Sequence, residues 1–96
     1  MNHLRLALYD MTSGTAEEAA AIAEKGLLPI FKKQPGFVRY EVGKLDNGGV
    51  VSFQIWETEE EAEAAVKMAA DWVAENLASR IKLRESHTGD MIWDVD

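Results

Sequence analysis

Three polar or half-polar side chains fall on alternate positions of one short apolar run. Ser52, Gln54 and Trp56 punctuate Val50 to Trp56, and in an extended chain they share a face. A hydroxyl and an amide buried together must each find a hydrogen-bond partner, so they are odd choices for plain core and suit a pocket wall. Tyr9 ends the alternating run His3 to Tyr9 and shares parity with His3, Arg5 and Ala7. Its phenol can donate or accept a proton, against the structural reading of a packed ring with its hydroxyl in water. Tyr40 falls on the opposite face by parity. His87 is the histidine in the body of the chain, the side chain that titrates nearest neutral pH, although its place beside Thr88-Gly89 also suits a surface residue. His3 is placed at the solvated terminus or a dimer edge. Arg39 and Glu41 are two residues apart and read as an interface ion pair, with Arg5 in the same account. There is no cysteine, which excludes disulfides and thiolate chemistry, and no pair of histidines or carboxylates has metal-ligand spacing.

Composition narrows the classes further. Ninety-six residues make one domain, 1–96, at the small end of what buries an adequate core alone. Ten Lys and Arg stand against 17 Asp and Glu, a formal charge of −7, which repels a phosphate backbone and excludes nucleic acid as a partner. No apolar run reaches membrane-spanning length and no leader pattern opens the chain, so no membrane association and a cytoplasmic location are expected.

The elements that must position these residues follow from periodicity and caps. His3 to Tyr9 alternates as a strand. Thr15 with Glu18 forms a capping box for a first helix, which Pro29 must kink or end near Lys25 to Leu28, leaving Leu27 to Lys33 as a second helical piece. Phe37 to Gly43 and Val50 to Ile55 are strands on either side of Asp46-Asn47-Gly48-Gly49, a hairpin signal. A turn centred on Asn47-Gly48 pairs positions whose numbers sum to about 95. That register puts Val38, Tyr40 and Val42 on the face of Val51, Phe53 and Ile55, and Phe37, Arg39 and Glu41 on the face of Ser52, Gln54 and Trp56. A second box, Thr58 with Glu61, opens a helix from Glu59 to about Ser79, with an apolar stripe at Ala62, Val66, Ala69, Val73 and Leu77. Ile81 to His87 is a last strand, broken by Gly89.

The order βαββαβ, with right-handed crossovers, implies an α+β ferredoxin-like fold: a four-stranded antiparallel sheet with two helices on one face. One sheet face is apolar and the other mixed, and the helices cover only one. A second copy is expected on the uncovered face. Burial alone would put the apolar face under the helices and turn Trp56 toward the partner.

Gln34-Pro35-Gly36-Phe37, followed after the hairpin by Phe53-Gln54-Ile55-Trp56-Glu57-Thr58-Glu59-Glu60-Glu61-Ala62, resembles the antibiotic biosynthesis monooxygenase group of dimeric α+β barrel proteins. The resemblance implies a homodimer, a pocket between sheet and helices, and oxidation of a small aromatic or quinol-type substrate by molecular oxygen with no cofactor or metal. It implies pocket roles for the strand-end Trp56 and for Ser52, which stands where quinone-forming members have an asparagine. Ala62 stands where they have a tyrosine, and Ala7 lies near where haem-degrading relatives need an asparagine. Tyr9 or His87 would then handle a proton, while Gln54, Phe37, Trp72 and Met68 would contact the substrate. The alternative is a non-catalytic dimeric barrel that binds a small molecule or serves a stress response. On the resemblance, the Trp56 face lies under the helices.

Overall fold

The computed structural model describes residues 1–93. Its elements are β1 (His3–Met11), α1 (Ala16–Gly26), α2 (Leu28–Lys32), β2 (Phe37–Lys44), β3 (Val50–Trp56), α3 (Glu59–Asn76) and β4 (Ile81–Asp90). The strands form one antiparallel sheet in the order β2-β3-β1-β4, so the two βαβ crossovers put β3 and β1 at its centre. This is the ferredoxin-like α+β fold.

Local chemistry explains each boundary. Thr15 accepts from the Glu18 amide at 3.2 Å while Glu18 reaches back to the Thr15 amide at 2.9 Å, a complete capping box. Pro29 sits in the first turn of α2, where its missing N–H costs nothing, and the path breaks between Gly26 and Leu28. Thr58 caps α3 through the Glu61 amide at 3.2 Å. The Glu61 carboxylate does not complete the box. It accepts from the Thr58 hydroxyl at 3.0 Å and lies against Gly36, whose φ of +80° a side chain would strain. α3 stops at Asn76, shorter than its stripe suggests. β4 runs through Gly89, which pairs with Leu4, so this glycine does not break the strand.

The helices cover the mixed face. His3, Arg5, Ala7 and Tyr9 of β1 and Val50, Ser52, Gln54 and Trp56 of β3 are all buried. Leu4, Leu6 and Leu8, with Val51 and Phe53, line the opposite, open face and are only half-buried. The expectation from plain burial is therefore reversed, because α1 and α3 present a carpet of alanines to the sheet. Ala16, Ala19, Ala23, Ala62, Ala65 and Ala69 are all buried, and their small side chains leave room beneath for the large and polar residues of the mixed face.

Strand β2 departs from the expected register. The hairpin loop spans Asp46 to Gly48, closed by Leu45 N–H to Gly49 O at 2.8 Å, with Gly48 at φ +90°. A three-residue loop ending in a left-handed glycine shifts the pairing by one residue relative to a two-residue turn, and such a slip turns every side chain over. Tyr40 pairs with Gln54 and Val42 with Ser52, which brings both under the helices. Arg39 and Glu41 go to the open face, where they form an exposed ion pair of 2.9 Å; they do not cross the mixed face. An irregularity between Phe37 and Arg39 returns the first residue to the face expected for it, the face of Trp56, although its partner there is Trp56 where the expected register had Arg39.

Candidate functional site

Antiparallel pairing lays the mixed face out in rungs. Arg5, Gln54 and Tyr40 occupy adjacent positions on β1, β3 and β2, and Ala7, Ser52 and Val42 form the next rung. Above them α1 and α3 leave a cleft walled by Ala19, Ala23, Trp72 and Val73, with Tyr9, Leu77 and Ile81 toward one end. Counting its mouth the cleft encloses about 430 Å³, but the part roomy enough for the centre of a water molecule is about 30 Å³. An apolar cavity that takes up benzene is about 150 Å³, so an aromatic ligand enters only when the walls move apart. Trp72 and Tyr40 are the large wall residues with exposed surface. A broader groove beside Glu17 and Lys44 is shallow and holds no buried polar side chain.

Trp56 does not line the cleft. It is fully buried in the neighbouring cluster, edge-on to Phe31 at 5.4 Å and to Phe37 at 5.4 Å between ring centres. Its indole N–H donates to Gln54 Oε1 at 3.1 Å. Because an indole N–H only donates, this bond fixes the orientation of the Gln54 amide and leaves Nε2 as the free end. Gln54 Nε2 is buried and unpartnered among the described residues, and so is Arg5 Nε. Trp56 thus acts on the cleft through Gln54.

Tyr40 carries the clearest electrostatic signature. Burial pushes its phenol up to about 12; the neighbouring Tyr9 adds to the rise, while the Ser52 hydroxyl and, least of all, the Arg5 guanidinium oppose it. At neutral pH Tyr40 is therefore a hydrogen-bond donor and cannot act as a base.

Of the residues singled out in the sequence, Ser52, Gln54, Tyr9 and Trp72 are brought together on the cleft wall. Phe37 and Met68 are not; both pack on the Trp56 cluster. His87 is also elsewhere: it pairs with Leu6 of the open face, is exposed, and meets Glu85 at 3.2 Å. Its removal from the cleft follows from strand parity, since cross-strand partners share a face. His3 is buried and bonds Asp90 at 2.9 Å. Arg5 and Tyr40 are the cleft residues that sequence reasoning placed elsewhere. The parity of Arg5 with Tyr9 was a signal for the first, whereas Tyr40 depended on the loop length. No group of three His, Asp or Glu side chains able to hold a metal occurs among the described residues, and no helix there is long and apolar enough to cross a membrane.

A family model described as antibiotic biosynthesis monooxygenase matches residues 3–70. No curated protein matches the chain. Among solved structures, SnoaB, a cofactor-independent oxygenase from Streptomyces nogalater, superposes with a TM-score of 0.77 at 15% identity, covering 98% of this chain and 96% of that one. A Streptomyces coelicolor monooxygenase in complex with nanaomycin D gives 0.67 at 16% identity, over 99% and 93%. An uncharacterized NIPSNAP-like domain protein from Burkholderia xenovorans gives 0.67 at 15% identity, over 99% and 90%. At such identities the likeness establishes the fold, which hosts more than one function.

Proposed function

The chain belongs to the antibiotic biosynthesis monooxygenase family, and from that premise we propose that it is a cofactor-independent monooxygenase oxidising a small aromatic or quinol-type substrate with molecular oxygen. The observation that carries this reading is the gathering of Arg5, Gln54, Tyr40 and Ser52 on one patch of an otherwise apolar cleft. A phenol with a free para C–H plus O2 gives a quinone plus water. One oxygen atom becomes the new carbonyl, and the other leaves as water with the phenolic and ring hydrogens. The substrate loses four electrons and O2 gains four. The first step needs an electron-rich phenolate, and the protein's part is to favour that form, exclude water and orient the ring. Neutral Tyr40 and the Ser52 hydroxyl supply donors to an oxyanion, while Trp72 and the alanine carpet supply the dry walls. Trp56 serves as a positioning residue through Gln54. Tyr9 is the remaining phenol of the site and the candidate to pass a proton.

The same reading takes the protein as a homodimer, with two copies burying Leu6, Leu8, Val51 and Phe53 against each other. Binding without turnover is the second reading, favoured by Ala62. Where active relatives are expected to carry a tyrosine, this residue is fully buried and offers no acid or base.

Oxygen uptake with a panel of hydroquinones and anthrone-type phenols tests the proposal, aerobically and anaerobically, for the wild type, Trp56→Phe and Tyr40→Phe. Uptake of one O2 per quinone formed is expected from the anthrone-type phenols, whose ring carbon gains the oxygen, falling about tenfold in Trp56→Phe, the cost of one lost positioning bond. No uptake above background across the panel leaves the binding reading in its place.

A further inference from the structure

Arg5 is only 3% exposed, yet none of the ion pairs among the described residues includes it and its Nε has no partner. A guanidinium stays charged, and a buried charge without a counter-ion costs several kcal/mol. The cleft supplies no carboxylate. On Arg5's face of the sheet the titratable groups are His3, Tyr9 and Tyr40 of β1 and β2 and Asp90 of β4, whose carboxylate is engaged by His3 at 2.9 Å; β4 sets Thr88 beside Arg5, β3 contributes Ser52 and Gln54, and the helical side contributes alanines, Leu27, Trp72, Val73 and Leu77. On the adjacent β3 position the Gln54 Nε2 donor is equally buried and unpaired, held in that sense by Trp56. Two neighbouring buried groups that can only donate hydrogen bonds, one of them cationic, define a hole for an anionic acceptor.

We propose that Arg5 and Gln54 form an oxyanion-holding site that binds the substrate as its phenolate, so that the substrate itself supplies the missing counter-charge and its phenolic proton is released to solvent. This deepens the monooxygenase reading and rests on it for the choice of cleft, but the binding step needs no oxygen. It limits a base to carrying that proton away, the part given to Tyr9, since Tyr40 is held protonated and His87 lies on the other face. It also narrows the substrate class to phenols acidic enough to ionise beside a guanidinium.

The test is anaerobic equilibrium binding of 4-nitrophenol, followed by the absorbance of its phenolate across pH. Burial in an apolar cleft alone raises a phenol's pKa, whereas contact with Arg5 lowers it, so the direction of the shift decides. A downward shift of about one unit is expected on binding to the wild type, equal to about tenfold tighter binding of the phenolate than of the phenol. Arg5→Met, which fills similar volume without charge, is expected to abolish the shift, weaken phenolate binding about tenfold or more and leave Tm unchanged or raised. An upward shift with the wild type overturns the inference without recourse to any variant, as does Arg5→Met binding the phenolate as tightly. Phenolate binding that depends on Arg5, with no oxygen uptake from any hydroquinone, sustains this inference and ends the oxygenase reading. Uptake unaffected by Arg5→Met does the reverse.

Discussion

Tyr40 and Trp56 show how single side chains acquire roles from their surroundings. Tyr40 keeps its proton in the folded state up to about pH 12, while in the unfolded chain it ionises near 10. Between those values the unfolded state binds fewer protons, so stability present below pH 10 is lost as pH rises toward 12, by roughly 1–3 kcal/mol. Denaturant melts at pH 9 and 11.5 should show that loss, and Tyr40→Phe should flatten it. For Trp56 the hydrogen bond matters as well as the volume. Trp56→Phe leaves a small cavity and an unpaired Gln54 Oε1 in a fully buried place, with an expected cost of about 2–3 kcal/mol by urea unfolding. Gln54→Leu in the same background should recover part of it, because then neither polar atom is stranded.

At the level of elements, small residues on the helices decide what the sheet can carry. The Trp72 side chain of α3 rests against Gly26 at the end of α1, where a methyl group would lie 2.5 Å from Cζ2 of the indole. Alanine is the better helix former by about 1 kcal/mol, but overpacking against a large ring costs about 1–3 kcal/mol. Gly26→Ala is therefore expected to be destabilising on balance, lowering Tm by a few degrees. Trp72→Phe should relieve it, and a double-mutant cycle measures the coupling. Gly48 acts through the hairpin instead: by ending a three-residue loop it decides which face of β2 meets the helices, and thereby that Tyr40 reaches the cleft.

For the whole molecule, the one-sided covering by helices leaves Leu4, Leu6, Leu8, Val51 and Phe53 of the open face half-exposed, an apolar band that water solvates poorly. Sedimentation of the wild type as a dimer, and of Phe53→Asp as a monomer that keeps its far-ultraviolet circular dichroism, is the expected outcome. A wild type that sediments as a monomer at micromolar concentration contradicts a dimer through this face. The acidic residues beside the band are partnered: Glu41, opposite Phe53, meets Arg39 at 2.9 Å, and Glu85, opposite Leu8, meets His87 at 3.2 Å.

The order of elements, the caps at Thr15 and Thr58, the break before Pro29 and the central pairing of β1 with β3 were all legible in the chain, because each depends on residues close together or on fixed alternation. Ser52, Gln54 and Trp56 could be grouped on one face for the same reason. Which face that was, and what joined it, was not legible: the answer turned on the alanine surfaces of two helices, which reverse the usual rule that the most apolar face goes inside. Tyr40 and the Arg39–Glu41 pair changed sides with one residue of loop length, and a period of two has no tolerance for such a slip. Local pattern determined the pieces and their internal phase. Only tertiary packing decided the relative phase of β2 and β3, the face that lies under the helices, and hence that an unpaired arginine would be shut in beside two tyrosines.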